Sequence, residues 1–381
     1  MAAAMPLSFA VWSALLNNFT VEIIGVDGGE IGWLHTVREV PGFLAVGVIA
    51  VLLLMREQTL AIISLLLLGA ATAVTAWMPF LSGILFITLL SSVGFHYFET
   101  VNQSLQLQWL EKEEAPQKLG QILAVGSGTT LIAYLLLFIG WKYYNISFDF
   151  AYTIAGGATV IIAIFCFLCF PYFETPNRQR KKIILRKRYW LFYLLNFMAG
   201  ARRQIFIVFA GFMMVEHFEF KVHEITTLYM INLFINIFAA PVIGRSIGRF
   251  GERKALLFEY SGLTLVFLAY GGIYFFGWGV ILAVILFVLD HLLFSLAMAI
   301  KTYFQKIADP KDIAPTAAVA FTINHIAAVF LPALLGYIWL TSPALVFLTA
   351  SVLATMSFAL ALLIPRNPRE GKETILVGLF S

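Results

Sequence analysis

The chain has 381 residues, of which 61% are hydrophobic and 12% charged, with a net charge of +4 and a mean hydropathy of +0.89. Soluble domains average roughly 45–50% apolar and roughly 25% charged residues, so a soluble catalytic domain and a nucleic-acid-binding module are both excluded. At about 20 apolar residues per spanning helix, the length accommodates about twelve membrane spans and almost no extramembrane domain.

Apolar stretches bounded by loop signals fall near residues 6–26, 31–55, 59–77, 82–107, 119–141, 150–172, 189–215, 224–243, 255–276, 278–303, 316–338 and 343–364. These runs are far longer than the roughly 9–11 residues of a membrane strand, and only helices of that length satisfy their own backbone groups in lipid. The expected fold is therefore an all-α integral membrane protein of twelve transmembrane helices in two pseudo-symmetric six-helix bundles. The first bundle covers residues 1–173, a basic linker 174–188, the second bundle 189–365 and a tail 366–381. The opening M-A-A-A-M-P-L-S-F-A has no positive n-region, so no cleavable signal peptide is expected.

Polar and ionisable residues inside spans are costly and need a partner or a wet cavity. In chain order, the first span carries Asn17 and Asn18, with Glu22 about one turn further on. The second holds Arg38 and Glu39 just before Pro41-Gly42, read as packing or gating residues. In the fourth, His96 and Glu99 share a face, followed by Asn102. Gly120, Gly126 and Gly128 of the fifth suggest close packing against a neighbouring helix. Cys166 and Cys169 in the sixth read as small packed residues; a disulfide framework is excluded.

The basic segment 178–188 divides the chain and reads as an anchor at the inner leaflet or a lipid-headgroup site. The seventh span carries Asn196, Arg202, Arg203 and Gln204. One arginine is expected to reach a cavity while the other pairs with an acid such as Glu22 or snorkels. His217, His223, Glu216, Glu219 and Glu224 cluster in one loop whose spacing fits no metal pattern. Asn232 and Asn236 lie four apart on the eighth span, where helix–helix bonding and cavity lining are the two readings. The tenth span carries Asp290 and His291, and the eleventh Asn324 and His325.

Lysines and arginines are strongly one-sided. Twenty fall in alternate loops on one side, among them Lys112, Lys118, Arg186, Lys301 and Lys311; only Lys142 and Lys221 fall on the other, and Arg38, Arg202 and Arg203 lie within spans. The positive-inside rule then puts both termini in the cytoplasm. The two halves also echo one another: at an offset of 195, His96 falls on His291, Trp109 on Phe304 and Glu114 on Asp309, and L-L-N-N-F resembles L-L-N-F-M. Repeats of this kind place a solute site near mid-membrane.

Twelve spans, two six-helix halves, a basic central loop and the segment P-V-I-G-R-S-I-G-R-F-G-E-R-K resemble the major facilitator superfamily of transporters. Gly244, Arg249, Gly251, Arg253 and Lys254 stand where that family's loop motif, G-x-x-x-D-R-x-G-R-K, has its glycines and basic residues. Gly248 occupies the place of the signature acid, and the corresponding loop of the first half, L-L-M-R-E-Q-T-L, lacks the motif. The resemblance implies that the first, fourth, seventh and tenth spans line a central cavity, and these spans hold most of the ionisable residues named above.

The expected function is secondary active transport by alternating access, coupled to protons, of a small organic solute, with an organic anion as the preferred reading. Asn17, Asn18, Asn196, Arg202, Arg203, His291 and His325 are the candidate solute-binding residues, and Glu22, His96, Glu99 and Asp290 the candidate proton-coupling residues. No nucleotide-binding loop is present, and no cofactor or metal is expected. Partners are expected to be the solute, protons and the lipid bilayer, with no nucleic acid, for a monomer in a bacterial inner membrane. Because Glu22, Glu39, Glu99 and Asp290 outnumber the three buried arginines, efflux of lipophilic cations by proton antiport is the alternative. A membrane-embedded enzyme or a sensor is the remaining one.

Overall fold

The computed structural model describes residues 1–44, 47–52, 54–109, 115–172, 185–309 and 312–376. Lys112, Glu114, Arg178, Arg180, Lys181, Lys182, Lys311 and most of the linker 174–188 lie outside the described residues, as do the side chain of Trp109 and the surroundings of Gly120.

The regular elements of the described residues are helices. In order the helices are α1 (Ala4–Asn18), α2 (Gly28–Phe43), α3 (Gly47–Val51), α4 (Glu57–Val74), α5 (Leu81–Trp109), α6 (Ala115–Ile139), α7 (Phe148–Cys169), α8 (Trp190–Ile205), α9 (Gly211–Glu216), α10 (Val222–Phe250), α11 (Glu252–Phe276), α12 (Val280–Phe294), α13 (Met298–Ile307), α14 (Ile313–Thr341) and α15 (Pro343–Leu362). Single π-helical segments continue α1 (Phe19–Ile24), α6 (Gly140–Tyr144) and α8 (Phe206–Ala210).

Among the described residues, eleven helices are long and apolar enough to cross a membrane. Within the span expected at 31–55, the described residues form α2, which ends two residues after its internal Pro41, and the five-residue α3. Proline removes a backbone donor and clashes with the preceding turn, and Pro41-Gly42 sits where the helix gives way. At its other end α2 is well capped: Asp27 accepts from the Glu30 amide at 2.9 Å, and Glu30 accepts from the Asp27 amide at 3.1 Å.

The chain forms two compact units. The first comprises Met1–Glu30, Leu34–Gln179 and Val215–Met230; the second comprises Ile31–Trp33, Arg180–Met214 and Ile231–Ser381. The boundary therefore differs from the sequence midpoint, because 215–230 belongs with the first unit. Val222 is buried with Trp12, Leu15 and Phe19 of α1, Leu137 of α6 and Tyr152 of α7, and Tyr229 stacks on Tyr134 with ring centroids 5.5 Å apart.

Within the first unit, α4 and α7 cross almost backbone to backbone. A Cβ on Gly156 would lie 2.3 Å from both the Ala73 nitrogen and the Gly69 carbonyl oxygen, so only glycine fits. This is not where the sequence suggested close packing. Gly128 faces open space, and a Cβ on Gly126 would meet Pro6 only at an ordinary 3.4 Å.

The second unit is built around Leu191 and Leu195 of α8, Leu256 and Tyr260 of α11, Tyr303 and Phe304 of α13 and Ala361 of α15. Phe192 and Phe304 stack at 4.1 Å. Helices α8 and α14 meet at Gly200, where a Cβ would come within 2.4 Å of the Asn324 carbonyl oxygen. At one end of this unit Arg186 grips Asp312 through Nε at 2.5 Å and Nη2 at 3.0 Å, and Tyr189 donates its hydroxyl to the same carboxylate at 3.2 Å. The hydrogen bonds and charge of Arg186 hold the Asp312 carboxyl below the usual carboxylate range. Arg188 reaches Glu370 at 3.1 Å, and Tyr303 donates to the Glu373 carbonyl at 2.5 Å, so the segment after α15 is tied to α8 and α13.

Candidate functional site

Each unit carries its own set of buried polar side chains. In the first, Asn17 and Asn18 end α1 and are both buried. Asn18 donates to Glu22 Oε1 at 2.7 Å and to the Phe220 carbonyl at 2.6 Å. Its amide thus ties the first span to the segment 215–230, while Glu22 itself is exposed. Asn17 Oδ1 has no hydrogen-bond partner among the described residues.

On α2, Arg38 pairs with its neighbour Glu39, presents its guanidinium to the Trp12 ring at 5.9 Å, and accepts a hydrogen bond from Ser92 of α5 on its carbonyl. One turn earlier lies His35, buried, with neither ring nitrogen hydrogen-bonded among the described residues. Sequence reasoning passed over it; its position three residues before Arg38 on the same helical face was the available signal. On α5, His96 is buried against Phe95 in an edge-on contact at 5.1 Å, and Glu99 is half-buried.

The second unit holds the densest charge. Arg202 of α8 and Glu259 of α11 are each completely shielded, with Arg202 Nη2 3.5 Å from Glu259 Oε1. The guanidinium also stacks over the Tyr260 ring at 4.2 Å. Asp290 of α12, 1% exposed, acts electrostatically on both. The acid that meets Arg202 is therefore Glu259 and not Glu22. Glu259 was absent from the sequence candidates, although an acid inside the apolar run 255–276 was a readable signal. Arg203 is half-buried, and His291 is half-buried near Phe206, with ring centroids 6.3 Å apart.

Asn196 turns back on its own helix, donating to the Phe192 carbonyl at 2.8 Å, while its carbonyl accepts from Asn324 at 3.1 Å. His325 is buried, with Nδ1 2.9 Å from the Phe321 carbonyl. Asn236 accepts from Ser295 at 3.3 Å, a bond between α10 and the segment joining α12 to α13. Cys166 is buried and Cys169 exposed, and both are free thiols.

The loop-motif residues end α10 and open α11. Gly251 takes φ +85°, which favours glycine, and forms the turn between them. Gly244 lies inside α10 with open space around it, and Arg249, Arg253 and Lys254 flank the turn. Glu252, within the same segment and nearly wholly buried, pairs with Lys306 of α13 at 2.7 Å. A carboxylate is thus present in this segment although Gly248 stands at the expected acidic position.

The arrangement amounts to apolar helices with ionisable groups sealed inside each unit, as in proteins that pass solutes or protons through lipid. No curated protein is significantly similar to the chain in sequence. Among solved structures it is similar to a point mutant of the nucleoside transporter NupG (14% identity, TM-score 0.76, covering 94% of this chain and 98% of that one). It is also similar to a bacterial homologue of the human lysosomal transporter Spinster in an inward-facing, occupied conformation (11%, 0.71, 98% and 96%). A third is a bacterial homologue of the iron transporter ferroportin in an inward-facing state (9%, 0.73, 94% and 96%). The family model described as Major Facilitator Superfamily matches residues 1–330, and the chain belongs to that superfamily of membrane transporters.

Proposed function

We propose that the protein is a proton-coupled secondary transporter that moves a small organic solute by alternating access, as a monomer in a bacterial inner membrane with both termini in the cytoplasm. The observation that carries this reading is the burial of ionisable side chains inside membrane-spanning helices of both units: His96 in the first, and Arg202, Glu259 and Asp290 in the second. Charges in such places are rarely structural ornaments, because each raises the cost of inserting its helix.

In this reading Asn17, Asn18, Asn196, Arg203, His291 and His325 contact the solute, and Glu22, His96, Glu99 and Asp290 serve the proton. Arg202 is matched by Glu259, so an anionic group on the solute falls to Arg203, whose planar fork of donors suits a carboxylate or phosphate. A second reading, efflux of lipophilic cations, draws support from the two buried acids around Arg202, Glu259 and Asp290, set against that single arginine.

Proteoliposomes containing only this protein test the reading with three radiolabelled probes: uridine as a neutral solute, benzoate as an anion and tetraphenylphosphonium as a cation. Accumulation of one probe driven by a pH gradient and abolished by an uncoupler is the expected result. Benzoate movement lost in Arg203→Ala selects the anion reading, and tetraphenylphosphonium movement selects the cation reading. Counterflow of a probe with no response to the pH gradient would overturn proton coupling.

A further inference from the structure

Glu259 meets the Arg202 guanidinium at 3.5 Å, and the buried Asp290 acts electrostatically on both, in a place water does not reach. Arg202 and Glu259 have fully shielded side chains, and Asp290 is 1% exposed. Both carboxylate oxygens of Glu259, Asp290 Oδ2, and Nη1 and Nη2 of Arg202 lack a hydrogen-bond partner among the described residues. The pair at 3.5 Å is an ionic contact wider than a good charge-assisted hydrogen bond, so neither acid is locked to the arginine.

The charge count is the decisive quantity. Two ionised carboxylates against one guanidinium leave one uncompensated negative charge in a low-dielectric interior, a state that neutralises itself by binding a proton. Among the described residues no other lysine or arginine pairs with the two acids, and His325 of α14, the helix packed against α8, has its Nδ1 2.9 Å from the Phe321 carbonyl of its own helix. On α13, Lys306 is taken by Glu252 at 2.7 Å and Lys301 is exposed. Helix α15, packed along α11, contains no titratable side chain. Arg203 and His291 follow Arg202 and Asp290 in sequence and so project about 100° away around their helices. The other titratable groups facing the cluster are the phenols of Tyr260 and Tyr270, both buried and uncharged at neutral pH.

We propose that Arg202, Glu259 and Asp290 form a site within the second unit that holds one exchangeable proton, carried by either acid while the other balances the arginine. The site adds Glu259 to the residues assigned above. Its role in transport rests on the proton-coupled reading; the site itself does not. Proton binding forms one carboxyl O–H bond, and release returns the proton to water when the bundle opens to solvent.

Infrared spectroscopy of the whole protein in liposomes tests this, because a protonated carboxyl has a carbonyl stretch that a carboxylate lacks. The wild type is expected to show a carboxyl band that shifts on exchange into heavy water and vanishes at alkaline pH. Glu259→Gln and Asp290→Asn, both isosteric, should each abolish that band, because the remaining acid then balances Arg202. Arg202→Lys should retain it, and Arg202→Gln should roughly double it. A band that survives in both acid variants, fails to exchange, or is absent from the wild type overturns the site. The pH-gradient assay with uridine, benzoate and tetraphenylphosphonium decides the coupling reading separately: a band behaving as expected in a protein that moves no probe with protons leaves the site standing and removes its role in transport.

Discussion

Arg202 and Glu259 meet inside the second unit on different helices, 3.5 Å apart and with no solvent exposure of either side chain. A buried pair of this kind is more revealing when broken than when intact, since removing one partner strands the other charge. Replacing both acids, Glu259→Gln with Asp290→Asn, leaves Arg202 without a counter-charge and is expected to destabilise the protein by about 3–5 kcal/mol, whereas Glu259→Gln alone, with Asp290 left to balance Arg202, should cost much less. Thermal unfolding of the single and double variants in detergent checks this; equal losses in all would show that packing, not charge, dominates.

At the crossing of α4 and α7, Gly156 leaves no room for a side chain. Gly156→Leu should cost at least about 1–3 kcal/mol through forced separation of the two helices, whereas Gly128→Ala, which faces open space, should be neutral. Melting temperature and yield of monodisperse protein distinguish the two.

Gly251 adopts φ +85° and ψ 157°, a region open essentially to glycine alone. Gly251→Ala is expected to cost about 1–3 kcal/mol and to weaken the start of α11, including the Glu252–Lys306 pair. Hydrogen exchange should rise at the amides of Ala255 and Leu256 while remaining unchanged in α7.

Asp312 makes stability depend on pH in a known direction. Because Arg186 holds the folded carboxyl below its usual range, the folded protein binds this proton less readily than the unfolded chain does. The stabilisation is present above the unfolded value of about 3.9 and disappears as pH falls through the folded one. Asp312→Asn should therefore lower the melting temperature at about pH 7, and its difference from the wild type should shrink in acid. A constant difference across pH would exclude Asp312 as the titrating group.

Membrane insertion, an all-helical fold and the paired halves were legible in the sequence, because hydropathy adds up along a contiguous segment. In the span expected at 31–55, Pro41-Gly42 was noticed, but the end of α2 two residues after the proline was not.

Partnerships were not legible, since a side chain's neighbour depends on how helices distant in sequence rotate about their axes. The sequence by itself determined that Arg202 needed a partner or a wet cavity; only the tertiary structure decided that α11 supplies a partner through Glu259. It likewise placed the close glycine crossing at Gly69 and Gly156 and not in the fifth span, and joined residues 215–230 to α1 and α6 through Val222, Tyr229 and the Asn18–Phe220 bond. In each case the deciding quantity is a distance across space between surfaces of similar hydrophobicity, which a pattern along one strand of sequence does not encode.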